Sequence, residues 1–409
     1  MTVTVRRLVL SATFGAGPTT IPNVLQARAS FGFDKRVSEC AFVTPIKPAC
    51  TYDDLVTVTM GAGNNIVRFV GLVRDFQYSD TPRAVTTVCK GRLVRAVEYE
   101  NGDVGTAGPP NGGEIGLAIN DLVGTQLATA SQIVQAVLTR ANVPFTAANI
   151  QSTSIQYGAI YEAFIWAAGV NSNPIAAQLD PQGAGETALE YIERYDAIDG
   201  TVSGLTGGRY RTFETIAGDV WRFLVGGRPR NAVDFTLTEG IDILDGNIQR
   251  SISDTRNYFV VSGYDYGVGT GPFRFALQES NPFQPSSSKH TYSFGSPMIE
   301  RDTNASTFPF GATGQTCEML CNVFGMEYNR EIVTGWVTTF RDDAFGVAQT
   351  HLVQGNVGGG VGNLGVGENL WVQSLDISVD SQGFTQRLGY IGGGIPAGNT
   401  GWPLPDPPG

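Results

Sequence analysis

A mainly β protein with a mixed α+β middle domain is the fold class this sequence predicts, and three observations carry the prediction. Apolar and polar residues alternate with period two through most of the first hundred residues and again beyond residue 232, as strands that bury one face require. Glycine takes 52 of the 409 positions, nearly twice its usual share of about 7%, so the chain reverses often. Between the two alternating stretches the apolar spacing lengthens to that of an amphipathic helix, at 130–138 and 187–195.

Taken in order, the first domain (1–105) predicts strands at 3–10, 27–33, 39–43, 55–60, 67–78 and 84–97. Val56-Thr57-Val58-Thr59-Met60 has the alternation of a half-buried strand, and Gly61-Ala62-Gly63-Asn64-Asn65 supplies the reversal. Together these form a small barrel or sandwich. Residues 101–114 are too rich in glycine and proline for either regular structure and mark a boundary.

The middle domain (106–231) opens on a helix that Thr129 or Ser131 caps, with Ile133, Val134, Val137 and Leu138 as its apolar stripe. A second helix at 187–195 turns Leu189, Ile192 and Tyr195 inward and presents Glu186, Glu190 and Glu193 as a solvated face. Strands at 210–215 and 220–225 follow, separated by a turn at Gly218-Asp219, and Arg228-Pro229-Arg230 closes the section.

Strand patterns return in the third domain (232–394), at 235–238, 246–254 and 258–263. Residues 264–312, with Pro272, Pro282, Pro285 and Pro297, read as a long irregular surface loop. A helix at 316–329 and strands at 332–341 and 369–379 complete the domain. The Pro/Gly-rich tail, 395–409, extends over a neighbour or is disordered.

Charged residues make up 16% of the chain, against roughly 25% in an ordinary soluble domain. A poorly charged exterior suits a member of an obligate assembly, because charge is depleted at the core of interfaces. The net charge of −11 argues against a protein that grips phosphate backbones with clustered Lys and Arg; an acidic pore wall would instead let a polyanion slide past. No secretory signal precedes the first strand, and no run approaches the ~18 apolar residues of a membrane span, so a soluble protein made in the cytoplasm is expected.

The order of elements, read against particular residues, resembles one family. Arg68-Phe69-Val70-Gly71-Leu72-Val73 followed by Cys89-Lys90-Gly91-Arg92-Leu93 is similar to the first barrel of the phage baseplate hub family, which includes late-control proteins and type VI secretion spike hubs. The helix at 130–138 and the segment 188–200 leading into Gly207-Gly208-Arg209-Tyr210-Arg211 resemble the family's middle domain. Segments 234–251 and 257–263 resemble its second barrel, 317–330 the helix crossing that barrel, and 369–377 with 384–388 the closing hairpin.

What the resemblance implies is two tail-tube-like β-barrels in one chain, three chains forming a pseudo-sixfold ring. Such a homotrimer would be a structural tail-tip or baseplate hub in the virion, adapting a sixfold tail tube to a threefold tip. Its implied partners are the tail tube or distal tail protein, the tape-measure protein, and tail fibre or spike proteins. DNA would cross its channel without specific binding during ejection. The loop 264–312 and the tail depart from the family pattern.

Chemistry has few footholds. Gly360-Val361-Gly362-Asn363-Leu364-Gly365 has the spacing of a dinucleotide loop but lacks the strand before and the helix after it, and reads as a hairpin connection. Carboxylate pairs such as Glu186 with Glu190, or Asp342 with Asp343, occur in any acidic chain and do not single out a glycosidase. His290 and His351 read as solvated loop residues, with no nucleophile elbow to complete a triad. Of Cys40, Cys50, Cys89, Cys317 and Cys321, only Cys317 and Cys321 share a helix face, a weak metal candidate beside the reading of all five as buried free thiols. Asn304-Ala305-Ser306 matches a glycosylation acceptor by chance.

No catalytic residue and no cofactor is therefore expected, and the chain is not expected to be an enzyme. The aromatic residues of the long loop, Phe273, Phe275, Phe283, Tyr292, Phe294, Phe308 and Phe310, suit a partner subunit. A receptor- or glycan-binding tail-tip protein is the alternative reading, and a peptidoglycan hydrolase a remoter one.

Overall fold

The computed structural model describes residues 8–99 apart from 16, 34, 64, 81 and 82; 127–158 apart from 155; 187–226 apart from 204 and 205; 233–264 apart from 254; 272–278; 289–300; 316–355 apart from 330 and 331; and 368–393. Seven strands open it: β1 (Val9–Phe14), β2 (Thr19–Ile21), β3 (Gln26–Gly32), β4 (Glu39–Thr44), β5 (Leu55–Gly61), β6 (Val67–Asp80) and β7 (Arg83–Gly91). Their alternation is the cause of their placement: Val56, Val58 and Met60 of β5 are buried while Thr57 and Thr59 are not. Each such side chain contributes about 1.5–3 kcal/mol on burial.

The strand expected at 84–97 ends at Gly91, and the chain turns into the short helix α1 (Val94–Glu98). A side chain from the middle domain captures the turn, as described below. Strand β8 (Leu127–Thr129) then leads into α2 (Ala130–Arg140), with Thr129 as N-cap and Gln132 completing the capping box. Strand β9 (Gln156–Gly158) pairs with β8. Helix α3 (Ala188–Ile198) has its own capping box, Thr187 with Glu190. The hairpin-linked strands β10 (Gly200–Ser203), β11 (Thr206–Glu214) and β12 (Val220–Gly226) form a separate antiparallel sheet. Its turn contains Gly218 at φ +74°, where a Cβ would lie 2.6 Å from Cβ of Val70 in β6. Glycine there lets the middle layer press on the first sheet.

The remaining elements are β13 (Phe235–Thr238), β14 (Ile243–Ser251), β15 (Tyr258–Tyr264), β16 (Pro272–Gln278), β17 (Thr291–Glu300), α4 (Thr316–Tyr328), β18 (Ile332–Thr339), β19 (Thr350–Gln354), β20 (Glu368–Asp380) and β21 (Gly383–Gly393). The expected irregular loop is therefore corrected at two places: β16 and β17 hydrogen-bond to either side of β15. Their prolines fit that arrangement, since Pro272 is the first residue of its strand and Pro297 lies on an edge strand near a register shift. The rest of that stretch, the boundary 101–114, the glycine run 360–365 and the tail 395–409 lie outside the described residues.

The stretches expected as two barrels share one 13-stranded sheet, in the order β14-β18-β21-β20-β3-β4-β7-β6-β5-β1-β2, with β19 on β20 and β13 on β19. The junction is β20 with β3, antiparallel, from Ser374 opposite Gly32 to Val379 opposite Ala27. One apolar core spans this sheet, with Phe31, Phe42, Phe69, Leu375, Ile377 and Leu388 from both stretches. A second core gathers α2, α3, α4 and the sheet β16-β15-β17, around Ile133, Leu138, Ile192, Phe259, Leu320 and Phe324. Among the described residues no helix is long and apolar enough to cross a membrane.

Candidate assembly surface

Because the inner face of the large sheet is filled by the core, its other face is left to the intervening residues of each strand. Register places Lys90, Glu39, Ser30, Asp376, Arg387 and Thr338 side by side across six strands. Lys90 pairs with Glu39, and Lys35 Nζ lies 3.5 Å from Asp376. The Arg387 guanidinium sits 4.0 Å above the Trp336 ring, a cation–π stack. Beside this row, where β3 meets β20, a groove of about 490 Å³ is lined by Arg28, Ser378, Asp380, Thr385 and their neighbours. Ser378 and Thr385 share a hydroxyl hydrogen bond of 2.7 Å across it. The surface is polar, of mixed charge and continuous over the junction, suited to contact or passage.

Four buried charged groups hold the layers beneath it. Arg68, fully buried on β6, donates to Asp342 Oδ1 (2.9 Å), to the Asp343 carbonyl (2.6 Å), to the Met60 carbonyl (3.2 Å) and to Gln386 (3.3 Å). Burial lowers its pKa and the Asp342 pair opposes that. The contact fastens β6 to the 340–345 turn and β21. Arg222 on β12 donates to Asp196 (2.7 Å), to Asp199 (2.8 Å) and to the Gln151 carbonyl (2.6 Å). Burial works against its charge, but both aspartates outweigh it and raise its pKa. Those aspartates lie at the C-terminal end of α3, where the helix dipole disfavours anions; Arg222 compensates.

Glu214, at the end of β11, takes hydrogen bonds from the Ser38 amide (3.0 Å), the Ser38 hydroxyl (2.6 Å) and the Leu93 amide (2.7 Å). Burial raises its pKa against these donors. A Cβ at Gly91 would come within 1.9 Å of its Oε2, so only glycine admits the carboxylate, and this contact ends β7 early. Arg209 grips Glu327 of α4 through two bonds, 2.7 and 3.1 Å.

Cys317 and Cys321 are both buried in α4, and burial pushes the Cys317 thiol up to about 12. Cys321 Sγ lies 3.7 Å from the Phe259 carbonyl. Among the described residues no group of three or more His, Cys, Asp or Glu is arranged to hold a metal ion. His290 is exposed, but His351 is fully buried on β19, correcting its reading as solvated. Its Nδ1 is 2.9 Å from the Tyr390 hydroxyl and its Nε2 3.2 Å from Gln349. Burial and nearby Arg341 lower its pKa to about 3, so it is a neutral core residue.

Asp342 and Asp343 are committed to Arg68 and Arg341, the latter pair at 2.5 Å. Glu190 and Glu193 do not form a purely solvated face: Arg36 lies 3.0 and 3.6 Å from them, and Glu190 also closes its helix cap. Glu186 lies outside the described residues. Of the seven aromatic residues, Tyr292 and Phe294 pack on Phe324 of α4, with ring centroids 4.8 and 5.4 Å away; their role is internal.

Sequence reasoning missed Arg68, Arg222 and Glu214 as joints. The available signal is a charged residue in the buried phase of a strand: Arg68 alternates with Val70 and Leu72, and Arg222 with Val220 and Leu224.

No protein-family model matches the chain, and no curated protein matches it in sequence. Among solved structures, the tail protein from Neisseria meningitidis MC58 aligns with a TM-score of 0.55 at 9% identity, over 94% of this chain and 96% of that one. The 43 kDa tail protein of prophage MuSo2 from Shewanella oneidensis aligns with a TM-score of 0.53 at 11% identity, over 94% of this chain and 98% of that one. The chain shares the fold of these two tail proteins over 94% of its length.

Proposed function

We propose that this chain is a structural, non-enzymatic component of a phage tail, a hub at the tail tip. The observation that carries the reading is one sheet built from both ends of the chain, with a continuous polar face over the junction. The fold shared with tail proteins supports it. In this reading each chain contributes two barrel-like halves to a homotrimer, whose pseudo-sixfold ring meets a sixfold tail tube. The path β13-β19-β20-β21-β18-β14 begins and ends on strands consecutive in the chain, as one such half requires.

The polar face balances Arg28, Lys90 and Arg387 with Glu39, Asp376 and Asp380 and forms no basic stripe of the kind that holds phosphates. It is suited to a channel that tape-measure protein and DNA cross without specific binding. Gold-labelled antibody raised against the purified chain should mark one end of the tail on the parent particle. Labelling of heads, or none on intact particles, would contradict the assignment.

A further inference from the structure

The core-facing rows of the large sheet run past the core at one end and leave apolar side chains uncovered there. Tyr78 of β6 is opposite Val85 of β7, and Val85 opposite Thr44 of β4; Tyr78 in this row is 66% exposed, and Ile46 and Tyr52 on the segment that follows β4 are 64% and 63% exposed. Leu25, whose amide bonds the Val43 carbonyl, is 58% exposed beside them. Lys47 is pinned over Phe76 at 4.5 Å and has no carboxylate partner among the described residues.

A second patch lies at the same end, where β14 starts and β18 stops. Ile243 is opposite Thr339, and around that pair Ile241, Leu244 and Phe340 are 69%, 56% and 47% exposed. Its rim is acidic: Glu239 and Asp245 have no cation partner among the described residues. From β4 to β18 the patches are four strand spacings apart, about 19 Å.

We propose that this end is a self-association surface, on which two copies meet end to end with the first patch of each seated on the second patch of the other. A twofold axis perpendicular to the strands and midway between the patches makes both contacts at once, an isologous arrangement. Lys47 then faces Asp245 of the other copy, twice per interface. In a trimeric ring the contact stacks two rings; in a free chain it makes a dimer. Ring formation itself is a separate matter.

Sedimentation equilibrium of the whole purified chain tests it, with circular dichroism to show that each variant keeps its fold. Wild type should reach twice the mass of its basic unit as concentration rises. Ile46→Glu and Leu244→Glu should each weaken that doubling about tenfold, although the two residues lie on different patches. Lys47→Glu should weaken it about fivefold, and adding Asp245→Lys to the same chain should restore it. A mass that never doubles, or a doubling indifferent to one of the patches, would overturn the proposal. A ring that forms but never stacks would overturn it while leaving the tail-hub reading intact.

Discussion

The large sheet and the middle layer are held in different ways. The sheet is sewn by long antiparallel registers and an apolar core drawn from both ends of the chain, with the buried Arg68–Asp342 pair as an added fastening. The middle layer shares an apolar core with α4 and the β16-β15-β17 sheet and adds buried ionic joints: Arg222 ties β12 to α3 within the layer, while Glu214 and Arg209 tie it to the Ser38 and Leu93 amides and to α4. Many small apolar contacts degrade gradually when one is lost. A buried charge deprived of its partner is destabilising at once. The sheet should therefore be the persistent part of the molecule and the middle layer the part that opens first.

The largest effect should come from Arg222→Met, which takes the guanidinium away from Asp196 and Asp199, at 7% and 0% side-chain exposure. A loss of about 3–5 kcal/mol is expected, read by hydrogen exchange as early opening of α3 and β12 while β3, β4 and β20 stay protected. Equal deprotection of both regions would remove the distinction. Next, Glu214→Ala should cost about 1–3 kcal/mol by stranding the Ser38 and Leu93 amides, with α1 the first segment to exchange.

The sheet has a pH-dependent weakness at His351. His351 has its pKa depressed from 6.5 to about 3, so its neutral form favours the fold. That contribution is complete above about 6.5 and is lost as pH falls towards 3, at about 1.4 kcal/mol per pH unit. Thermal unfolding should show acid destabilisation over this window, and His351→Gln should flatten it. An unchanged pH profile in the variant would assign the effect elsewhere. The smallest effect belongs to Arg36→Ala: with Arg36 54% exposed and its glutamates accessible, stability should change by no more than about 1 kcal/mol.

Strands such as 55–60 and helices such as 130–138 were legible because burial follows a local period that the residues state outright. The pairing of β20 with β3 was not, because Ile377 and Ala29 meet across most of the chain and antiparallel partners leave no mark in either local pattern. β16 and β17 were hidden by prolines that edge positions tolerate. The polar joints were legible only in part: a charged residue in the buried phase of a strand marks Arg68 and Arg222, but the partner it needs, 274 residues away for Arg68 and 23 and 26 for Arg222, has no mark of its own. His351 is the same case, its burial decided by Phe235, Phe345 and Tyr390.

The central claim, that this chain is a tail-tip hub, is tested most directly by negative-stain electron microscopy of the purified protein with its mass measured in parallel. The account predicts a threefold ring, or a stacked pair of such rings, with an open centre about as wide as a tail tube. Compact particles of a single chain that stay without a pore when tail-tube subunits are added would contradict it.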